Sequence, residues 1–99
     1  MIFFVRTVSI APGKNADAMA FAHKVTQYVK DKFKRDTHIS MPIGGNPNRI
    51  AFSSRYADLA EFESAMTQLI ADSDWQKLVA GNAANIIPGS VHDEIWRSL

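Results

Sequence analysis

Ile2-Phe3-Phe4-Val5-Arg6-Thr7-Val8-Ser9-Ile10, running into Ala11-Pro12-Gly13-Lys14, is the stretch on which the fold turns. The Val, Ile and Phe content predicts a strand, the Pro-Gly pair a turn, and Asn15 the N-cap of a helix. The same strand–turn–helix succession returns at Arg49-Ile50-Ala51-Phe52-Ser53-Ser54-Arg55-Tyr56, where Asp58-Leu59-Ala60-Glu61 has the spacing of a capping box. The chain is therefore two β-α-β halves in series.

After the first turn, Ala18, Phe21, Ala22, Val25, Val29 and Phe33 recur at helical spacing and predict an amphipathic helix from about Asn15 to Phe33. Thr37 to Ile43 reads as a shorter strand, closed by Gly44-Gly45-Asn46-Pro47-Asn48, a run of turn formers. After the third strand, Phe62, Met66, Leu69 and Ile70 continue a helical stripe. Asp72-Ser73-Asp74-Trp75-Gln76 restarts the helix, with Ser73 and Gln76 again three apart. Ile86-Ile87-Pro88-Gly89 ends that region, and Ser90 to Trp96 is the last strand. The expected architecture is α+β, a ferredoxin-like βαββαβ domain over residues 1–99. Its four-stranded antiparallel sheet has the order 4-1-3-2, with the helices on one face.

Composition narrows the function classes. The 99 residues carry a formal net charge of +1 with interspersed signs, which argues against a nucleic-acid footprint. There are no cysteines, so disulfides, thiolate catalysis and cysteine-ligated metals are excluded. No stretch approaches the ~18 apolar residues of a membrane-spanning helix, and the N-terminus reads as a strand rather than a signal peptide. A cytoplasmic protein without a membrane partner is the expectation.

Alternation assigns one side-chain set of each strand to the helices: Phe3, Val5, Ile39, Met41, Ile50, Phe52, Tyr56, Val91 and Ile95. The opposite face would carry Phe4, Arg6, Val8, Ile10, His38, Ser40, Ala51, Ser53, Arg55, His92, Glu94 and Trp96. Both sets are substantially apolar, and one chain has helices for only one of them. The second face therefore calls for a partner, and a homodimer formed through the open sheet is expected.

Arg6-Thr7-Val8-Ser9-Ile10-Ala11-Pro12-Gly13-Lys14 resembles the opening of NIPSNAP-like proteins, in which an arginine on the first strand precedes a Pro-Gly-Lys turn. Arg55-Tyr56-Ala57-Asp58-Leu59-Ala60-Glu61-Phe62-Glu63, followed by Leu69-Ile70-Ala71-Asp72-Ser73-Asp74-Trp75, resembles the strand-to-helix passage of the same family. The resemblance covers most of the chain and implies the dimeric α+β barrel superfamily, which also holds antibiotic-biosynthesis monooxygenases and haem-degrading enzymes. It implies a full barrel completed by a second chain, but no particular reaction. Haem-degrading members hang iron from a histidine in the second helical region, and here Asp58 to Asn85 contains none. No metal, haem or other cofactor is expected.

The candidate ligand-binding residues are Arg6, His38, Arg55, Trp75, His92 and Glu94. Arg6, mid-strand among apolar neighbours, admits two roles: a partner of Glu94 on the adjacent strand, or a clamp for an anionic or carbonyl group. Arg55 carries the same ambiguity, with solvation at a strand end as the simpler role. His38 and His92 are the only histidines placed for proton transfer. They lie on opposite edge strands, about 14 Å apart, too far to share a metal within one chain. Trp75 is a core anchor or a wall of the cleft. The functional expectation is a small partly apolar molecule bound in a cleft between sheet and helices. The alternative is a cofactor-independent monooxygenase acting on quinol or phenolic substrates. An RNA-recognition module shares the element order, but Ile50 stands where that module needs glycine.

Overall fold

The computed structural model describes residues 1–99. Strand β1 (Ile2–Ser9) leads to helix α1 (Asn15–Phe33), then β2 (His38–Ser40), β3 (Arg49–Tyr56), α2 (Leu59–Ala71), α3 (Ser73–Ala80), a short 3-10 turn at Ala83–Asn85 and β4 (His92–Arg97). The sheet is antiparallel throughout, in the order β2-β3-β1-β4. The expected strand order is present.

The turn out of β1 has Pro12 in its second position and Gly13 at φ 77° in its third, closed by the Lys14 amide donating to the Ala11 carbonyl at 3.1 Å. Only a residue without Cβ takes that φ cheaply, which accounts for Gly13. Helix α1 starts without a side-chain cap, so Asn15 is its first residue rather than its N-cap. Helix α2 has the predicted N-cap, the Asp58 carboxylate accepting from the Glu61 amide at 2.8 Å, but Glu61 reaches one residue past the cap and accepts from the Ala57 amide at 2.5 Å instead of closing the box on Asp58. The restart into α3 is capped by Asp72, whose carboxylate accepts from the Asp74 amide, and not by Ser73.

Three expectations are corrected. First, the sheet does not close into a barrel. Strands β2 and β4 are each paired on one side only and leave two open edges, so the chain is an open sheet with one layer of helices. Second, the predicted strand from Thr37 to Ile43 is reduced to His38–Ser40, and Met41 is exposed outside it. Pro42 lacks an N–H, and the residue before a proline is restricted, so the ladder stops there.

Third, β1 has the opposite phase. Cross-strand partners share a face, and Arg6 stands opposite Phe52 on β3 and Asp93 on β4, while Val8 stands opposite Ile50. Ile2, Phe4, Arg6, Val8 and Ile10 therefore point to the helices. Phe3, Val5, Thr7 and Ser9 lie on the bare face with Ala51, Ser53, Arg55, His92, Glu94 and Trp96. The assignments of Ile39, Ile50, Phe52, Tyr56 and Ile95 to the helix side stand, and Val91, just before β4, lines the space on that side. The physical reason lies at the far end of β1, where Val8 and Ile10 alternate with Thr7 and Ser9. Burying the first pair removes apolar surface from water, whereas burying the second would bury hydroxyls.

The inner row of β1 organises the core in two clusters. Val8 and Ile10 pack with Ile50 and with Ala18 and Ala22 of α1, whose small side chains bring that helix close to the sheet. Ile2 and Phe4 pack with Tyr56 and Ala65, and Phe62 closes the group with ring centroids 5.2 Å from both Phe4 and Tyr56. Arg6 lies between the two, the only charged residue in the row.

Candidate functional site

Between the clusters the two layers do not meet, and a cavity of about 180 Å³ remains. Of its 17 lining residues 13 are hydrophobic, which makes it a site for an apolar body. The sheet contributes Phe4, Val8, Phe52 and Tyr56 as its floor, and α1 contributes Phe21, Val25 and Val29. The wall from α2 and α3 holds Met66, Leu69, Trp75 and Val79. Val79 at 43% and Val91 at 48% are the exposed lining residues, so the cavity opens between α3 and the approach to β4.

Four polar side chains line it: Arg6, Thr37, Ser54 and Asn82. The buried Ser54 hydroxyl donates to the Tyr56 hydroxyl oxygen at 3.1 Å. Asn82, only 6% exposed, accepts from the Asn85 carboxamide at 2.7 Å. Arg6 is held by Asp93: Nε donates to Oδ1 at 2.7 Å and Nη2 to Oδ2 at 2.8 Å, a bidentate pair with both side chains 41% exposed. The hydrogen bond to Asp93 raises the guanidinium pKa against the opposing effect of burial. The same bond lowers the Asp93 carboxyl below the ordinary carboxylate range.

Trp75 is set in place by a second polar group outside the cavity. Asp72, at the junction of α2 and α3, accepts from the Tyr28 hydroxyl of α1 and from Lys32 Nζ at 2.9 Å. The Tyr28 ring lies 6.1 Å from Trp75 between centroids and 6.3 Å from Phe33. One carboxylate thus caps α3, ties it to α1 and fixes the aromatic wall. Its pKa is lowered, first by the Tyr28 hydroxyl and then by Lys32.

Of the sequence-predicted residues, the structure brings Arg6 and Trp75 to the cavity and leaves the other four on the bare sheet face. His38 lies on edge strand β2. His92 and Glu94 approach each other on β4 at 3.3 Å, and Arg55 lies over the Phe3 ring at 4.9 Å. The expected Arg6–Glu94 pair is replaced by Arg6–Asp93, because the β1–β4 register sets Glu94 opposite Val5 and turns it to the other face. No group of three His, Cys, Asp or Glu side chains converges to hold a metal ion. Sequence reasoning missed Asp93, Ser54, Asn82 and Tyr28. None of them carried a signal of its own, and Asp93 falls beside Arg6 only once the β1–β4 register is set.

Comparison with solved structures follows the same geometry. A NIPSNAP domain protein from Burkholderia xenovorans superposes with a TM-score of 0.84 at 16% identity, over 100% of this chain and 95% of its own. A NIPSNAP family protein from Agrobacterium tumefaciens gives 0.82 at 16% identity, over 99% and 92%. The fold is that of the NIPSNAP proteins. A Deinococcus radiodurans protein provisionally described as an antibiotic biosynthesis monooxygenase gives 0.72 at 12% identity, over 99% and 92%. No family model matches the sequence, and no curated protein matches it. At these identities the likeness is one of NIPSNAP-type backbone.

The lowered carboxyls predict an acid limit to stability. Asp72, Asp93 and Glu61 all have folded-state pKa values below their ordinary ones. Their contribution is whole above the unfolded-state range near pH 4 and is lost as pH falls through the lower folded values. Urea unfolding at stepped pH should show stability level from pH 6 to 5 and falling below about pH 4. Asp72→Asn should be less stable at neutral pH and lose less on acidification. An acid slope identical to that of the parent protein would remove Asp72 from this role.

Proposed function

We propose that this chain is a small-molecule-binding domain whose ligand occupies the cavity between sheet and helices. The observation that carries the reading is the cavity itself, an opening of about 180 Å³ walled by 13 hydrophobic residues. Apolar walls that open to water are a surface an apolar ligand covers favourably. Arg6 and Trp75 are the proposed ligand-side residues from the sequence, joined by Tyr56, Ser54 and Asn82. The Trp75 indole supplies a flat wall for an aromatic or alicyclic body. The direct test is a nitrogen–proton NMR titration with benzyl alcohol. Shifts should cluster on Phe21, Val25, Trp75 and Val79. Shifts confined to the bare sheet face, or none at millimolar concentration, refute the reading.

We further propose that the working unit is a homodimer in which two copies meet through their bare sheet faces. This rests on Phe3 and Val5, half-buried in the single chain, beside a Trp96 that is 59% exposed. A contiguous apolar group of that kind on a sheet is better kept from water, and a two-fold pairing covers it on both copies at once. The face is mixed, with Arg55, His38, His92 and Glu94 around the apolar centre. Sedimentation at micromolar concentration should report about twice the chain mass for the parent protein and a monomer for Trp96→Glu. A parent protein that sediments as a monomer ends this part of the proposal.

A cofactor-independent monooxygenase acting on quinol or phenolic substrates is the alternative, supported by the likeness to the Deinococcus radiodurans protein. In that reading proton transfer would fall to groups lining the cavity, since His38 and His92 face away from it. Oxygen uptake on addition of a simple hydroquinone, above the rate without protein, is the outcome it requires.

A further inference from the structure

We propose that Asp93 sets the charge selectivity of the cavity, reserving it for uncharged ligands by neutralising Arg6. The inference rests on the cavity being a ligand site and names the class of ligand it takes.

Arg6 is the one charged side chain among the lining residues. An arginine at the open end of an apolar cavity would ordinarily be a carboxylate receptor, because its fork of donors matches two acceptor oxygens. Here one edge of that fork is filled. Nε and Nη2 each donate to one oxygen of Asp93, at 2.7 and 2.8 Å. Asp93 itself is absent from the lining and approaches Arg6 from the edge strand β4, where it stands directly opposite in the register.

The consequence is electrostatic. The pair is neutral, so a carboxylate entering the cavity would lose its hydration with no net positive charge to compensate it. The donors left to it, on Nη1 and the second proton of Nη2, would bring it up against Asp93, two carboxylates sharing one guanidinium. An uncharged hydroxyl or carbonyl has neither difficulty. It can accept from Nη1, which has no partner in the chain, or donate to the Tyr56 hydroxyl oxygen.

The cavity volume bounds the ligand's body. About 180 Å³ is comparable to the ~150 Å³ apolar cavity that accepts benzene in an engineered lysozyme. One ring or a short branched chain fits within it, with anything larger extending through the open end between Val79 and Val91. The class is therefore an uncharged, ring-sized apolar molecule bearing a single hydroxyl or carbonyl.

Benzyl alcohol and benzoate share a ring and differ in charge, so their affinities read the selectivity directly, with the Trp75 indole resonance as the reporter. The parent protein should bind benzyl alcohol and bind benzoate at least about ten-fold more weakly. Because benzoate is also the better hydrated of the two, the decisive measurement is the change caused by Asp93→Asn. That variant should bind benzoate about ten-fold or more tighter than the parent does, the value of a charge-assisted hydrogen bond restored, and change little for benzyl alcohol. Adding Arg6→Met to Asp93→Asn should abolish the gain.

If benzyl alcohol binds and Asp93→Asn leaves benzoate affinity unchanged, the selectivity role is wrong while the ligand site stands. A gain that survives Arg6→Met also removes it. If neither probe binds the parent protein or the variants, the ligand site and the inference fall together. Should Asp93→Asn fail to fold, equal or tighter binding of benzoate than benzyl alcohol by the parent protein still overturns the inference, and preference for the alcohol together with benzoate binding to Asp93→Ser but not to Arg6→Met supports it.

Discussion

Everything in this chain hangs on the alternation of β1. It is the only strand paired along most of its length on both sides, to β3 and to β4, so its phase fixes which side chains of both neighbours face the helices. A slip of one residue would exchange Val8 and Ile10 for Thr7 and Ser9 under α1 and turn Arg6 to the other face. The same phase brings Asp93 of β4 opposite Arg6. Core, cavity and ion pair are thus consequences of one backbone ladder.

The cavity follows from how the helices are seated. Ala18 and Ala22 let α1 approach the sheet closely at the Val8 and Ile10 end, where the first core cluster forms. At the other end α2 is anchored through Ala65 and Phe62 against Phe4 and Tyr56. Midway, β1 presents Arg6, a residue whose head group is best left in contact with water. Its side chain stays 41% exposed, and the space between the clusters opens toward β4. The exposure of Val91 and of Ile95 on the helix side of β4 belongs to the same arrangement.

Asp72 holds the third side of the site. A carboxylate that caps α3, receives the Tyr28 hydroxyl and pairs with Lys32 joins three helical segments at one point. Through Tyr28 it sets the Trp75 indole at the cavity wall. Networks of this kind favour a single arrangement when every member is satisfied, and no buried side-chain polar atom in this structure lacks a partner.

Element order, antiparallel strand order and the Asp58 cap of α2 are legible in the residues alone, because periodicity, turn residues and capping spacing are local signals. Arg6 and Trp75 stand out there too, since a charge inside an apolar strand and a tryptophan at a helix restart are visible without coordinates. The phase of β1 had to come from the folded tertiary structure. Phe3 and Val5 look as fit for burial as Ile2 and Phe4, and the choice is made by what Val8 and Ile10 meet on β3 and α1. Tertiary structure alone replaced Glu94 with Asp93 as the partner of Arg6, because cross-strand register comes from the ladder and not from composition. And it alone left the sheet open at β2 and β4: closure is a property of which edges find partners, and a strand's own residues do not record whether its outer N–H and C=O groups are paired.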